Sequence, residues 1–240
     1  MATAMKRSDE SVRLNDYIKA IKDWLSLSKK IGFDIIVAEN SNSINQIKKE
    51  FSGLENRNLT FIQTGEDQRS HLEGNSAGEF QMLKQISEYG IIPEKTQIIW
   101  KATGRLFVKN FGNIILDSQA DLILNRFYEP RHLIDTRIIG FSKEQFVNIF
   151  SKNPIFTLNL DLNEENRSDK YCSLEEYITF ESIRAEIRGK QVKSFKEVPI
   201  FEGFSATSNK EIDTKATRMK KRVANLIRPV VIKFLAGSTP

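Results

Sequence analysis

The sequence predicts an α/β protein in which a mostly parallel sheet is flanked by helices. Short apolar runs rich in β-branched residues alternate with segments whose apolar residues recur every three or four positions. This order is typical of strands joined by helical crossovers. The first such run, "FDIIV" (33–37), contains only one polar residue, as expected for a strand buried on both faces. We expect one main domain over residues 1–210, followed by a basic amphipathic helix over 211–240.

The elements can be assigned in order along the chain. Leu14, Ile18, Ile21 and Leu25 share one face of a predicted amphipathic helix over residues 14–30. The later predicted elements are strand 33–38, helix 44–51, strand 59–63, a long polar loop over 64–79, helix 79–90, strand 96–101, a short helix near 111, strands within 120–128 and 133–141, and helix 142–150 with Ser142 as its N-cap.

Composition and cysteine content bound the cellular context. The chain has 240 residues, of which 40% are hydrophobic, and this is enough for a full core. The single cysteine, Cys172, excludes an intramolecular disulfide and is typical of a reducing compartment. No apolar run follows Lys6 and Arg7, and no stretch approaches the roughly 20 apolar residues that span a bilayer. We therefore expect a cytoplasmic protein.

Positive charge is concentrated near the C-terminus. The net charge is +5, and residues 215–235 alone contain seven Lys and Arg residues and no acid. A nucleic-acid-binding protein would spread a basic face over its body, so nucleic acid is not an expected partner. Apolar residues at three- and four-residue steps in the same segment predict an interfacial helix on an anionic membrane, although Pro229 should kink or break it. The alternative is a terminal helix that packs on the domain.

Polar side chains end three of the predicted strands. The clusters are Glu39-Asn40-Ser41, Lys101-Ala102-Thr103-Gly104-Arg105 and Asp135-Thr136-Arg137. In open α/β sheets, ligands bind beyond the carboxyl ends of the strands. Carboxylates and amides can pair with a nucleobase and ribose, and Lys or Arg can bind a diphosphate. Polar residues also end many strands that bind nothing, but three such clusters in one chain favour a ligand site.

In this order the motifs resemble those of bacterial glycosyltransferases with the nucleotide-sugar-binding GT-A fold, the group that builds capsule and O-antigen polysaccharides. "LEEYI" (174–178) and "PIFEGFSATS" (199–208) look like the acceptor-side helix and the closing strand and loop of that group. The resemblance covers about residues 13–210, although "GFSATS" lacks the second glycine expected there. It implies that Glu39, Asn40 and Ser41 hold the nucleoside. The diphosphate and donor sugar would then be surrounded by Lys101, Thr103, Gly104, Arg105, Asp135 and Arg137.

The sequence departs from this group in its metal-binding motif. Most GT-A enzymes carry Asp-x-Asp, which holds a divalent cation on the sugar diphosphate, and this chain contains no Asp-x-Asp. Its nearest counterpart by position is Asp135-Thr136-Arg137, in which a guanidinium could neutralise the leaving phosphate directly. Asp135 could alternatively anchor Mg²⁺ or Mn²⁺ through phosphate oxygens and water. A third interpretation is an ordinary Asp135–Arg137 salt bridge at a strand edge.

If configuration inverts, the reaction needs a base for the acceptor hydroxyl. Glu175 and Glu176 are the candidates, on a helix whose predicted buried stripe is Leu174, Ile178, Ile183 and Ile187. Periodicity does not choose between the two glutamates, and Asp161 is a third candidate with weaker context. Other chemistries are disfavoured, because the two histidines, His71 and His132, lack partners at metal-ligand spacing and Cys172 lacks a positioned histidine. No phosphate-loop or dinucleotide-binding glycine motif is present.

The sequence therefore predicts a glycosyltransferase that moves a sugar from a nucleotide-diphosphate sugar to a glycan acceptor. We expect this acceptor to be lipid-linked and the protein to lie on the inner face of the cell membrane. Two alternatives remain open. A nucleotidyltransferase that makes a nucleotide sugar would share the sheet, but it should carry a glycine-rich loop near its N-terminus. A non-catalytic membrane-surface adaptor would need only the basic segment.

Overall fold

The computed structural model describes residues 10–40, 43–52, 58–65, 75–115, 120–126, 134–156, 170–171 and 173–204. Its helices are α1 (Glu10–Ile31), α2 (Ile44–Glu50), α3 (Asn75–Glu88), α4 (Phe111–Ile114), α5 (Lys143–Phe150) and α6 (Leu174–Ile187). Its strands are β1 (Ile35–Glu39), β2 (Leu59–Gln63), β3 (Ile98–Ala102), β4 (Phe107–Val108), β5 (Leu122–Arg126), β6 (Ile134–Ser142), β7 (Ile155–Phe156), β8 (Lys170–Tyr171), β9 (Val192–Ser194) and β10 (Phe201–Glu202).

The helices and strands lie close to their predicted positions. Ser142 caps α5 as expected, because its hydroxyl accepts a hydrogen bond from the backbone N–H of Gln145. Two helices begin earlier than predicted: α1 begins at Glu10, and α3 begins at Asn75, inside the stretch that we predicted to be loop. The α/β class is confirmed for the described part of the chain.

The sheets are mixed, so the prediction of a mostly parallel sheet is wrong. The largest sheet has the order β3–β6–β5–β9, in which β6 is antiparallel to both of its neighbours and β5 is parallel to β9. A separate parallel pair is formed by β1 and β2. Only residues 127–133 connect β5 to β6, and a parallel crossover needs a dozen residues or more. The length of this connection, rather than the apolar pattern of the strands, sets their direction.

Both faces of the four-stranded sheet are buried, and successive residues alternate between them. Leu122, Leu124 and Phe141 belong to a core that includes residues of α3, α5 and α6. Ile123 and Ile138 face a second core, which contains Phe111 and Phe195 and packs against Trp24 of α1. A third core joins α1 and α2 to β1 and β2. Helix α1 therefore packs on both the parallel pair and the opposite face of the main sheet.

The buried face of α6 differs from the predicted stripe. Leu174 and Ile178 are buried as expected, but Ile183 is 42% exposed and Ile187 is 80% exposed. Tyr177 and Glu181 are buried instead. The Tyr177 hydroxyl donates to the carbonyl oxygen of Ile149 at 2.7 Å, and Glu181 is paired with cations. Polar residues can lie on the buried face because the fold supplies partners for them.

Among the described residues, no helix combines the length and apolarity that crossing a bilayer would require. The predicted amphipathic helix within 211–240 lies outside the described residues.

Candidate functional site

Two of the three polar clusters meet where the end of β3 lies beside the start of β6. The backbone N–H of Thr103 donates to the carbonyl oxygen of Arg137 at 2.9 Å. The cluster at 135–137 thus lies at the beginning of its strand, whereas we predicted it at a strand end. The clusters meet nonetheless, because β6 runs antiparallel to β3.

Lys101 is buried at this junction, with 5% of its side chain exposed. Its ammonium forms a salt bridge with Glu79 of α3 and donates hydrogen bonds to the Thr136 carbonyl and, at 3.5 Å, to the Thr103 hydroxyl. A buried ammonium needs such partners to offset its lost hydration. Sequence reasoning missed Glu79, which fell at the boundary between the predicted loop and helix. The sequence offered one indication of Glu79, namely that a lysine buried at a strand end needs a carboxylate partner.

Glu175 approaches the same junction from the first turn of α6. Its Oε1 accepts a hydrogen bond from the Thr136 hydroxyl at 2.7 Å. Glu176 donates its backbone N–H to the hydroxyl of Ser173, the N-cap of the helix, at 3.2 Å. The structure therefore links Glu175 to the strand-end residues, a choice that helical periodicity left open.

The Asp135 carboxylate is buried and accepts four hydrogen bonds. Arg137 donates three of them, through Nε at 2.8 Å, Nη2 at 2.6 Å and its backbone N–H at 3.1 Å. The Asn125 amide donates the fourth, at 3.4 Å. The Arg137 guanidinium carbon also lies 4.4 Å from the centroid of the Phe201 ring on β10. Asp135 and Arg137 therefore form the salt bridge that the sequence allowed, and they do so on a central strand of the sheet rather than at its edge.

These bonds use the acceptor capacity of Asp135, which amounts to about four lone pairs. A metal ion at Asp135 would have to displace donors from Arg137 or Asn125. The described residues also contain no group of three His, Cys, Asp or Glu side chains that could hold a metal together. The residues present at Asp135 therefore do not fit Mg²⁺ or Mn²⁺.

Glu39 ends β1 and is 9% exposed. Its carbonyl oxygen accepts hydrogen bonds from the backbone N–H and the hydroxyl of Thr64, at 3.0 and 3.1 Å. Asn40 follows and is half-buried, whereas Ser41 lies outside the described residues. Burial raises the pKa of Tyr17 on α1, and the negative charge of the Glu39 carboxylate raises it further.

Tyr17 also connects β1 to the loop after β3. The Arg105 guanidinium carbon lies 5.8 Å from the centroid of the Tyr17 ring, and a Cβ at Gly104 would lie 2.8 Å from the ring. Glycine at 104 therefore lets the tyrosine lie against the backbone. Arg13, one turn before Tyr17 on α1, donates a hydrogen bond to the Tyr17 hydroxyl, and the positive charges of Arg105 and Arg13 only partly offset the rise in the pKa of this phenol.

Arg105 is the cation of this region whose donors are least satisfied. Its Nε and Nη1 are buried and have no hydrogen-bond acceptor among the described residues. Leaving a buried donor unsatisfied costs about 1–3 kcal/mol, and more when the group is charged. Its backbone is closely held, because Gly203 adopts φ +131° and a Cβ there would lie 2.6 Å from the Arg105 carbonyl oxygen. "GFSATS" thus begins with a glycine that packs on the Arg105 loop.

A second polar region lies between α5 and α6, along a groove of about 470 Å³. The Glu181 side chain, 2% exposed, accepts a hydrogen bond from Arg184 at 2.7 Å through Oε1 and pairs with Lys152 through Oε2. We call these three residues the Glu181 cluster. Sequence reasoning did not find it, because helical position alone does not reveal whether a glutamate is buried.

Two candidate site residues, Ser41 and Asp161, lie outside the described residues, as do His71, His132 and Cys172, for which the sequence predicted no role. We call seven of the remaining residues the strand-end site: Glu39, Lys101, Arg105, Asp135, Thr136, Arg137 and Glu175. Direct contacts link Lys101 and Glu175 through Thr136, and Asp135 to Arg137, while Glu39 and Arg105 both interact with Tyr17.

No protein-family model matches this sequence, and no curated protein is significantly similar to it. The function must therefore be argued from the strand-end site itself.

Proposed function

We propose that this protein is a glycosyltransferase of GT-A type, which moves a sugar from a nucleotide-diphosphate sugar to a glycan acceptor. The observation that carries the proposal is that a carboxylate and a buried cation meet at Thr136. The Thr136 hydroxyl donates to Glu175 of α6, and the Thr136 carbonyl oxygen accepts from Lys101 of β3. Arg137, the next residue of β6, instead pairs with Asp135 and contacts Phe201, which belongs to the core on the other face of the sheet. The junction at Thr136 pairs a candidate base with positive charge for a diphosphate leaving group.

In this proposal each group has a distinct role. Glu39 and Asn40, with Ser41, bind the nucleoside of the donor. Lys101, Arg105 and Arg137 offset the negative charge that develops on the nucleoside diphosphate as its bond to the anomeric carbon breaks. Glu175 accepts the proton of the acceptor hydroxyl. The hydroxyl oxygen attacks the anomeric carbon at the same time, and this inverts the configuration at that carbon.

The direct test is isothermal titration of the full chain with UDP, GDP and dTDP, each compared with its nucleoside. We expect at least one diphosphate to bind, and to bind more tightly than its nucleoside because charge-assisted hydrogen bonds add about 1.5–3 kcal/mol each. Absence of binding by every diphosphate would reject the proposal. Release of pyrophosphate from a nucleoside triphosphate and a sugar phosphate would instead identify a nucleotidyltransferase.

The proposed acceptor is lipid-linked, and residues 215–235 would hold the protein on the cytoplasmic face of an anionic membrane. The support is the sequence pattern of seven cations, no acid and regularly spaced apolar residues. Each cation near such a surface contributes about 1 kcal/mol, so replacing Lys220, Lys221 and Arg222 by Gln should weaken binding roughly 100-fold. Sedimentation with phosphatidylglycerol vesicles at low salt measures this. Equal pelleting of the variant and the parent would reject the membrane role.

A further inference from the structure

We propose that Arg105, together with Arg13 and Tyr17 of α1, forms the site that receives the phosphate groups of the ligand. The inference rests on the proposed function for the identity of that ligand as a nucleoside diphosphate. It assigns the direct hydrogen bonds to the phosphate groups to Arg105, while Lys101 and Arg137 contribute only their positive charge, and it adds helix α1 to the site.

The three strand-end cations, Lys101, Arg137 and Arg105, differ in their partners. The Lys101 ammonium is surrounded by Glu79, the Thr136 carbonyl and the Thr103 hydroxyl. The Arg137 guanidinium is held in a two-point contact by the Asp135 carboxylate. Both charges are thus balanced by a neighbouring carboxylate before any ligand binds.

Arg105 differs from them in its donors. Its Nε and Nη1 are shielded from water and meet no acceptor among the described residues, although a guanidinium is built to donate several hydrogen bonds. An oxyanion with several acceptor oxygens, such as a phosphate, supplies what these donors lack. The same condition holds at Arg13, whose Nε is buried without an acceptor in the described part of the chain.

The position of Arg105 is set by the surrounding structure. The indole N–H of Trp24 on α1 donates to the Leu106 carbonyl at 2.9 Å and thereby fastens the helix to the Arg105 loop. The Tyr17 ring lies against Gly104 and beside the guanidinium. The negative charge of Glu39, at the end of β1, raises the pKa of the same tyrosine. A nucleoside held by Glu39 and Asn40 would therefore place its phosphates toward the arginines.

The test is isothermal titration of the full chain and of Arg105→Gln with UDP, GDP, dTDP and inorganic pyrophosphate. We expect Arg105→Gln to weaken the binding of diphosphates and pyrophosphate by tenfold or more and to leave nucleoside binding unchanged. Arg105→Lys, which keeps the charge and loses the planar donors, should give an intermediate loss. Arg188→Gln is the matched control, because Arg188 is exposed at the end of α6; it should change nothing.

A second measurement separates binding from a structural role. Because two donors of Arg105 have no acceptor in the described structure, Arg105→Gln should leave the melting temperature of the ligand-free protein unchanged or raise it. A clear fall would show that Arg105 supports the fold, and this would overturn the inference. Gly104→Ala, which pushes on the Tyr17 ring without changing any charge, should weaken diphosphate binding.

The outcomes distinguish this inference from the proposed function. If Arg105→Gln and the parent bind a diphosphate equally, the inference fails and the proposed function stands. If the parent binds pyrophosphate through Arg105 but binds no nucleoside diphosphate, the phosphate site stands and the proposed donor class fails. If the parent binds neither probe, both fail.

Discussion

Lys101 in the strand-end site and Glu181 in the Glu181 cluster are both buried charges with opposite-charge partners, yet their surroundings differ. Both oxygens of Glu181 are matched by cations, Arg184 on one and Lys152 on the other. The junction around Lys101 also contains matched groups, but it adjoins Arg105, whose Nε and Nη1 have no acceptor among the described residues.

The difference shows that a buried charge does not by itself mark a functional site. A structural cluster satisfies its own members, and the Glu181 cluster does so even though it lines a groove. A ligand site keeps hydrogen-bonding capacity for its ligand and combines residues from distant parts of the chain. The strand-end site meets both conditions, and the following predictions test this contrast.

The largest expected effect is on sugar transfer, for which Glu175 is the proposed base. Glu175→Gln should lower kcat by about 10²–10⁴-fold, the usual contribution of a general base. Glu181→Gln should leave kcat within a few-fold of the parent, because Glu181 is bonded to Lys152 and Arg184 rather than to the strand-end residues. Sugar transfer is measured once a donor has been identified by titration.

Glu176→Gln is the matched control for this experiment, since the residue is adjacent on the same helix turn. A loss of activity in Glu176→Gln that equals the loss in Glu175→Gln would contradict the assignment of Glu175 as the base.

The next effect is on stability. Glu181→Ala should lower the free energy of unfolding by about 3 kcal/mol, because it removes two charge-assisted hydrogen bonds and leaves two cations uncompensated. Glu144→Ala breaks an ion pair with Lys190 in which the glutamate side chain is 73% exposed, and it should change the free energy of unfolding far less, because solvent screens an exposed pair. Urea unfolding gives both values. Similar losses in the two variants would show that the Glu181 cluster is not a structural centre.

Lys101→Met should affect both stability and ligand binding, unlike any change in the Glu181 cluster. It should lower the free energy of unfolding by about 2 kcal/mol, since Glu79 loses its partner but is 30% exposed and can regain water. It should also weaken diphosphate binding several-fold through the lost positive charge. Unfolding curves and titrations of the same preparation measure the two effects, and an unchanged affinity would place Lys101 outside the ligand site.

The smallest expected effect is that of chelation. Because the Asp135 carboxylate is occupied by Arg137 and Asn125, EDTA should lower turnover by less than about tenfold, with fixed cations supplying the charge stabilisation. The measurement is activity in EDTA, before and after addition of Mn²⁺ or Mg²⁺. Complete loss in EDTA that either ion restores would show that the fixed cations are not sufficient.

The sequence predicted the local elements well. Apolar periodicity located α1, β1, β2 and β3 to within a few residues, and Ser142 was identified as the cap of α5. These features depend on interactions between residues that are close along the chain, so a single sequence contains their signals.

Strand direction and the choice among polar residues could not be predicted in this way. The pairing of β5 and β6 depends on the length of their connection, and the apolar pattern of each strand is compatible with either direction. The exposure of Ile183 and the burial of Glu181 likewise depend on which face of α6 finds partners in α5 and the sheet.

The sequence by itself determined which chemical groups were available near the strands, namely Glu39, Lys101, Arg105, Asp135 and Arg137. Only the tertiary structure decided how these groups are used. It paired Lys101 with Glu79 and Arg137 with Asp135, and it brought Tyr17 to Arg105 and Glu175 to Thr136. The physical reason is that burial and hydrogen bonding act between residues distant along the chain, so whether a charge is balanced or retains unmet donors is set by the fold.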